Sequence, residues 1–214
     1  MSKNEAHNKG YENVASSVSE SQANKATVEL LQGWLGELSG SALVEWSRLP
    51  DIGLYMDQVL TLMDRQLSFY KRGDQDKLLT QPMINNYTKD GLLPRAQDKK
   101  YTQGHLALLS VLCSLKPVLS ISDLSILLEN TQLENDEKQI YEFFLDAQKD
   151  AIDGAREELL PKFATLHDTV SVKQVNSDSY NREMALMALR MAVEARVRIM
   201  MTQKILDLIS KEKK

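Results

Sequence analysis

The chain has 214 residues, 43% of them hydrophobic, and a formal net charge of -4, which is enough apolar material for one sizeable core or two small ones. An acidic average repels phosphate, so any affinity for nucleic acid must come from a local basic surface. No run approaches the ~20 apolar residues that cross a bilayer, and the opening residues MSKNE lack the apolar segment of a signal peptide; the expectation is a cytoplasmic protein with no membrane partner. The single cysteine, Cys113, rules out a disulfide within the chain and, inside the apolar run 106–113, should pack as a small hydrophobe with a raised pKa.

Residues 1–24 are rich in Ser, Asn, Glu and Lys and bury too little to offset the entropy of ordering, so they read as a disordered tail. Over 25–48 docking helices are expected: Val28, Leu31, Trp34, Leu35 and Leu38 recur at helical spacing despite Gly33 and Gly36. Pro50 ends this region and Asp51 can cap the next helix. Between Gly53 and Tyr70 the stripe Met56, Val59, Leu60, Met63, Leu67, Tyr70 predicts an amphipathic helix. Residues 71–77 (KRGDQDK) have no apolar side chain and form a loop.

Another helix should run from Gln81 to Asp90, with Pro82 in its first turn and Gly91 ending it in the left-handed conformation. Met83, Ile84, Tyr87 and Leu92 turn inward, which leaves Gln81, Asn85, Asn86 and Lys89 outside. A second apolar helix spans Thr102 to Lys116, stopped by Pro117, and Ser120 with Asp123 has capping-box spacing ahead of a short helix to Asn130. From Glu134 to Phe163 an acidic helix is expected, with Ile140, Phe143, Phe144, Ala147, Ala151 and Ile152 as its apolar face. Residues 169–175 alternate briefly but have no partner run and read as a linker. The longest helix, Asn181 to Lys211, spans about 45 Å at ~1.5 Å per residue. It carries one stripe of Leu186, Leu189, Val193, Val197, Met200, Ile205 and Leu208, and a second of Met184, Met187, Met191 and Ala195. Apolar on two faces, it predicts a homodimer.

Residues 65–105 hold eight bases and four acids, so this window carries +4 and the remainder -8. Residues 134–158 hold nine acids against three bases and should repel DNA; 181–214 again hold eight bases against four acids. Within the basic window, Gln81, Asn85 and Asn86 can read adenine edges, while Lys89, Arg95, Lys99 and Lys100 can neutralise phosphate or contact guanine.

The segment from Met83 to Arg95 (MINNYTKDGLLPR) resembles the recognition helix and wing entry of MerR-type winged helix-turn-helix regulators, whose pattern continues through Gly-Leu-Leu-x-Pro-Arg into a wing. Lys100-Tyr101-Thr102 stands where that family has its wing tyrosine, 105–109 matches the helix after the wing, and 119–124 (LSISDL) matches the turn after that. The stretches 49–59 (LPDIGLYMDQV) and 83–87 (MINNY) are more closely similar to a bacterial YkrK-type family of unknown function. The MerR resemblance implies an all-α, winged helix-turn-helix-like module with a small wing over 49–130, then a C-terminal helical dimerisation or effector region over 131–214. It also implies double-stranded DNA as partner, with Thr80, Gln81, Asn85, Asn86, Lys89, Arg95, Lys99, Lys100 and Tyr101 as contact residues. Loop 71–78 is longer than the tight turn of a standard helix-turn-helix, which predicts a different crossing of the two helices.

Enzyme signals are absent: the sequence has no P-loop, no Gly-x-Gly-x-x-Gly after a strand and no His-Glu-x-x-His, and His7, His105 and His167 stand apart. Asp146, Asp150 and Asp153 share a helix side without a Glu-x-x-His partner, so neither metal nor cofactor is expected. The sequence therefore points to a DNA-binding transcriptional regulator. The rival is a protein-interaction adaptor that keeps the winged shape without binding DNA.

Overall fold

The computed structural model describes residues 22, 25–38, 43–73, 75–131, 137–173 and 177–212. All of them are helical or connecting: α1 over residues 25–38, α2 Met56–Gln66, α3 Gln81–Lys89, α4 Gln103–Leu115, α5 Ile121–Thr131, α6 Glu137–Lys173 and α7 Ser177–Glu212, with short 3-10 turns at Trp46–Arg48 and Ser68–Tyr70. The all-α expectation holds. Strand pairing among the described residues is limited to two isolated antiparallel bridges, Leu54 with Tyr101 and Gln97 with Lys100. The expected tail lies outside the described residues, apart from residue 22.

The described residues fall into two compact units, one drawn from 41–150 and 196–214, the other from 1–40 and 151–195. The larger unit is built on α4. Every residue from His105 to Cys113 is buried, so this helix is apolar all round and needs cover on every side. Val59, Met63 and Leu67 from α2 and its end, Ile84 and Tyr87 from α3, Leu124 and Leu128 from α5, and Tyr141 from α6 share its core. Burying each such side chain contributes about 1.5–3 kcal/mol. Burial also pushes the Cys113 thiol up to about 12, as expected for a packed cysteine.

Long-range hydrogen bonds pin the segment ahead of α2. The Gln103 amide donates to the carbonyls of Trp46 (2.8 Å) and Leu49 (3.2 Å), and the Tyr141 hydroxyl donates to that of Val44 (2.7 Å). The Trp46 carbonyl also accepts the Leu49 N–H at 3.0 Å, closing the 3-10 turn, and the side-chain donors add to the pairing of backbone carbonyls along this irregular segment. The smaller unit packs Val28 and Leu35 of α1 against Leu159 and Phe163 of α6 and Tyr180 of α7.

Several sequence expectations are corrected. The helix expected to reach Tyr70 ends at Gln66 and tightens into the 3-10 turn. The acidic helix does not stop at Phe163: α6 continues to Lys173 through Pro161, so 169–173 are helical rather than a linker, and 174–176 lie outside the described residues. Among the described residues α6 covers 37 positions and α7 36, so the two are of nearly equal length. Trp34 and Phe143, expected on buried faces, are 54% and 75% exposed. Helical spacing identifies a side but cannot say how wide a sector the neighbours cover. Replacing Leu106 with Ala should therefore cost about 2–5 kcal/mol in urea unfolding, whereas Phe143→Ala should change stability by less than about 0.5 kcal/mol.

Candidate nucleic-acid interface

Helix α3 has the sequence QPMINNYTK. Its start is set by Thr80, whose hydroxyl accepts the Met83 N–H at 3.4 Å, and by Pro82, which loses no hydrogen bond in the first turn. Its end is set by Gly91, at φ 77, which turns the chain so that the Leu92 and Leu93 N–H groups both donate to the Tyr87 carbonyl (2.9 and 3.2 Å). That left-handed turn is open to glycine without steric cost, and it drives Leu92 and Leu93 into the core.

With Ile84 and Tyr87 locked against the core, the opposite face is fixed outward. Gln81, Asn85, Asn86 and Lys89 are all exposed. Thr80 is half-buried and serves as the cap. Burial pushes the Tyr87 hydroxyl up to about 12, and this oxygen has no hydrogen-bond partner.

After Pro94 the chain forms a hairpin tip. Gln97 and Lys100 bridge, the Lys100 N–H donates to the Gln97 carbonyl at 2.8 Å, and Asp98 (φ 50) and Lys99 (φ 62) make the turn between them. Two consecutive left-handed residues are the mark of a type I′ hairpin turn, whose twist matches that of paired extended chains. Arg95, Lys99 and Lys100 are exposed on this arm.

The arm is tied down at its base. The Leu54 and Tyr101 backbones exchange two hydrogen bonds of 2.9 and 2.8 Å. Lys100 lays its stem over Gly53, where an added Cβ would come within 2.9 Å of the Lys100 Cβ. Its ammonium lies 5.7 Å from the centroid of the Tyr55 ring, a cation–π distance. Tyr101 differs from the expectation of a contact residue. It is 7% exposed, and its ring meets that of His105 edge-on at 5.4 Å, so it supports the arm from within.

His105 joins the arm to α4. Its Nδ1 accepts the Thr102 N–H at 3.1 Å, capping the helix. Burial holds its pKa below the usual histidine value, while the backbone of Pro94 and Arg95 and the Glu137 carboxylate pull the other way. The proton of the neutral ring then sits on Nε2, which is buried and has no acceptor in hydrogen-bond geometry.

The positive charge of this region is unevenly available. Lys71 pairs with Asp64 at 2.7 Å and is largely buried, and the Asp76 carboxylate accepts the Arg72 and Gly73 N–H groups at 2.8 and 3.2 Å. Arg65 and Lys77 line a shallow groove of about 610 Å³ between α2, this loop and the start of α3. The loop is thus a closed turn rather than a free basic strand. No cluster of three or more potential metal ligands occurs among the described residues, and none of their helices is long and apolar enough to cross a membrane.

The sequence located the α3 face and the basic arm. It missed the coupling of Gly53, Leu54 and Tyr55 to Lys100 and Tyr101, because nothing local to either segment announces a partner so far along the chain. Residues 44–144 match a family described as a domain of unknown function, DUF1836. No curated protein and no solved structure matches the chain.

Because the folded-state pKa of His105 is lowered, the unfolded chain binds its proton more readily. Stability should therefore be full above the unfolded value of about 6.5 and should fall as the pH drops below it. Thermal unfolding between pH 7.5 and 5 should show this loss, and His105→Gln, which keeps a capping acceptor without a titrating ring, should flatten it.

Proposed function

We propose that the segment 44–144 is a winged helix-turn-helix-like DNA-binding module of a transcriptional regulator, with α3 in the major groove and the 97–100 hairpin as its wing. The single observation that carries this proposal is the outward face of α3. Gln81, Asn85, Asn86 and Lys89 are all exposed on a helix whose other side is fixed in the core. Amide side chains can make bidentate hydrogen bonds to adenine there, and each good pair discriminates by about 1–3 kcal/mol.

The hairpin supplies the sequence-independent part. Arg95, Lys99 and Lys100 stand exposed beyond the end of α3 in a chain of net charge -4. A local cationic patch can orient the protein on a polyanion, since the acidic stretch 134–158, with nine acids against three bases, is repelled by phosphate. An adaptor would not require the polar face of α3 to be open. The side-by-side placement of amide side chains on α3 and exposed cations on the arm, Arg95, Lys99 and Lys100, is what favours DNA over a protein partner.

Fluorescence anisotropy with pooled genomic fragments, and then with the selected site, tests the proposal. Lys99→Ala should weaken binding to all duplexes alike and reduce the slope of log affinity against log salt by about 0.9. Asn85→Ala with Asn86→Ala should instead erode preference for the selected site by about 1–3 kcal/mol per lost base contact. Absence of affinity for any duplex at low salt would refute DNA binding.

A further inference from the structure

Three features of the turn ahead of α2 converge on the side chain of Lys100. Its stem lies over Gly53, where an added Cβ would come within 2.9 Å of the Lys100 Cβ and 3.1 Å of its Cδ. A clash at Cβ is not relieved by turning the side chain, so glycine is what lets the stem lie flat. The ammonium then stands over the Tyr55 ring, 5.7 Å from its centroid. Between these two contacts the Leu54 and Tyr101 backbones exchange hydrogen bonds of 2.9 and 2.8 Å. That bridge fixes the register, setting Gly53 and Tyr55, on either side of Leu54, beside Lys100.

The residue types match this geometry. Tyr55 occupies the N-cap of α2, a position that favours Ser, Thr, Asp or Asn. Its ring is 50% exposed, so core packing does not account for an aromatic there. Asp51 and Asp57 are exposed on the same turn, yet no carboxylate among the described residues pairs with Lys100. Lys71 is the contrast: Asp64 holds it at 2.7 Å and neutralises it in doing so. A ring face attracts a cation through its quadrupole and carries no net charge. Lys100 is therefore held with its charge uncompensated, and it gives up no ion pair on meeting an anion. Part of the rotamer freedom that a free lysine loses on binding is already lost in the fold.

We propose that Gly53 and Tyr55 are positioning residues of the arm, which hold Lys100 in place and fully charged as a preformed contact for a DNA phosphate. This role rests on the DNA-binding reading of α3 and the arm, and it adds two residues that act through Lys100 without touching DNA themselves.

Anisotropy titrations of the full chain read the role through affinity and salt dependence together. Tyr55→Leu should weaken binding to every duplex about two- to fivefold, the worth of one exposed cation–π contact. The slope of log affinity against log salt should stay as it is, because no charge is removed. Lys100→Met should lower that slope by about 0.9, and in its background Tyr55→Leu should have no further effect. Tyr55→Phe, which keeps the ring, should restore the parent affinity. A second readout needs no DNA: the Tyr55 ring current should shift the side-chain methylene protons of Lys100 upfield in the NMR spectrum. Tyr55→Leu and Gly53→Ala should abolish that shift, and Tyr55→Phe should keep it. Absence of the shift, an unchanged affinity in Tyr55→Leu, or a loss that persists in the Lys100→Met background would overturn the positioning role. A chain that shows the shift but binds no duplex would keep the seat and overturn its DNA role together with the DNA-binding reading.

Discussion

Burial of α4 is the constraint on which the larger unit depends. Nine consecutive residues of this helix are buried, and a helix without a polar face cannot sit at a surface. Its neighbours are short, amphipathic helices of 9 to 11 residues, α2, α3 and α5, too short to persist alone in water. Each exists because it covers part of α4. In covering it, each commits its apolar side and leaves its polar side no choice but to face outward. The open amide-rich face of α3 is therefore a by-product of core packing, available for recognition at little additional ordering cost.

The same core fixes the basic arm at its two ends. Leu92 and Leu93 enter it after Gly91, and Tyr101 enters it before α4. Only the intervening residues rise from the surface, closed by Asp98 and Lys99 in the left-handed region. Non-glycine residues cost energy in that conformation, and the paired backbone at Leu54 and Tyr101, together with Lys100 packed over Gly53, supports it. A cationic tip held in this way loses less freedom on meeting a polyanion than a flexible lysine run would.

Charge along the chain obeys the same division. Asp64 and Asp76 tie down the loop ahead of α3, so the formal +4 of residues 65–105 overstates what that loop presents to solvent. The exposed cations that matter for the proposed interface are those of α3 and the arm. His105 sits where arm and core join, and its neutral ring is part of the α4 cap. Protonation there would turn the accepting Nδ1 into a donor and remove the cap that it gives the Thr102 N–H.

Short-range features were legible in the sequence because their causes are local. Thr80 and Pro82 start α3, Gly91 stops it, and Ser120 with Asp123 caps α5, the Asp123 carboxylate accepting the Ser120 hydroxyl at 2.7 Å. Periodicity also placed Ile84 and Tyr87 inward and Asn85 and Asn86 outward. What only the tertiary structure decided was how apolar and aromatic positions are used. Tyr101 is spent on the core, Trp34 and Phe143 are left in water, and one of the two apolar stripes of α7 is largely uncovered. A helical repeat is a property of neighbouring residues and shows where a sticky side is. Whether another segment comes to cover it depends on contacts made across the whole chain, which no local pattern records.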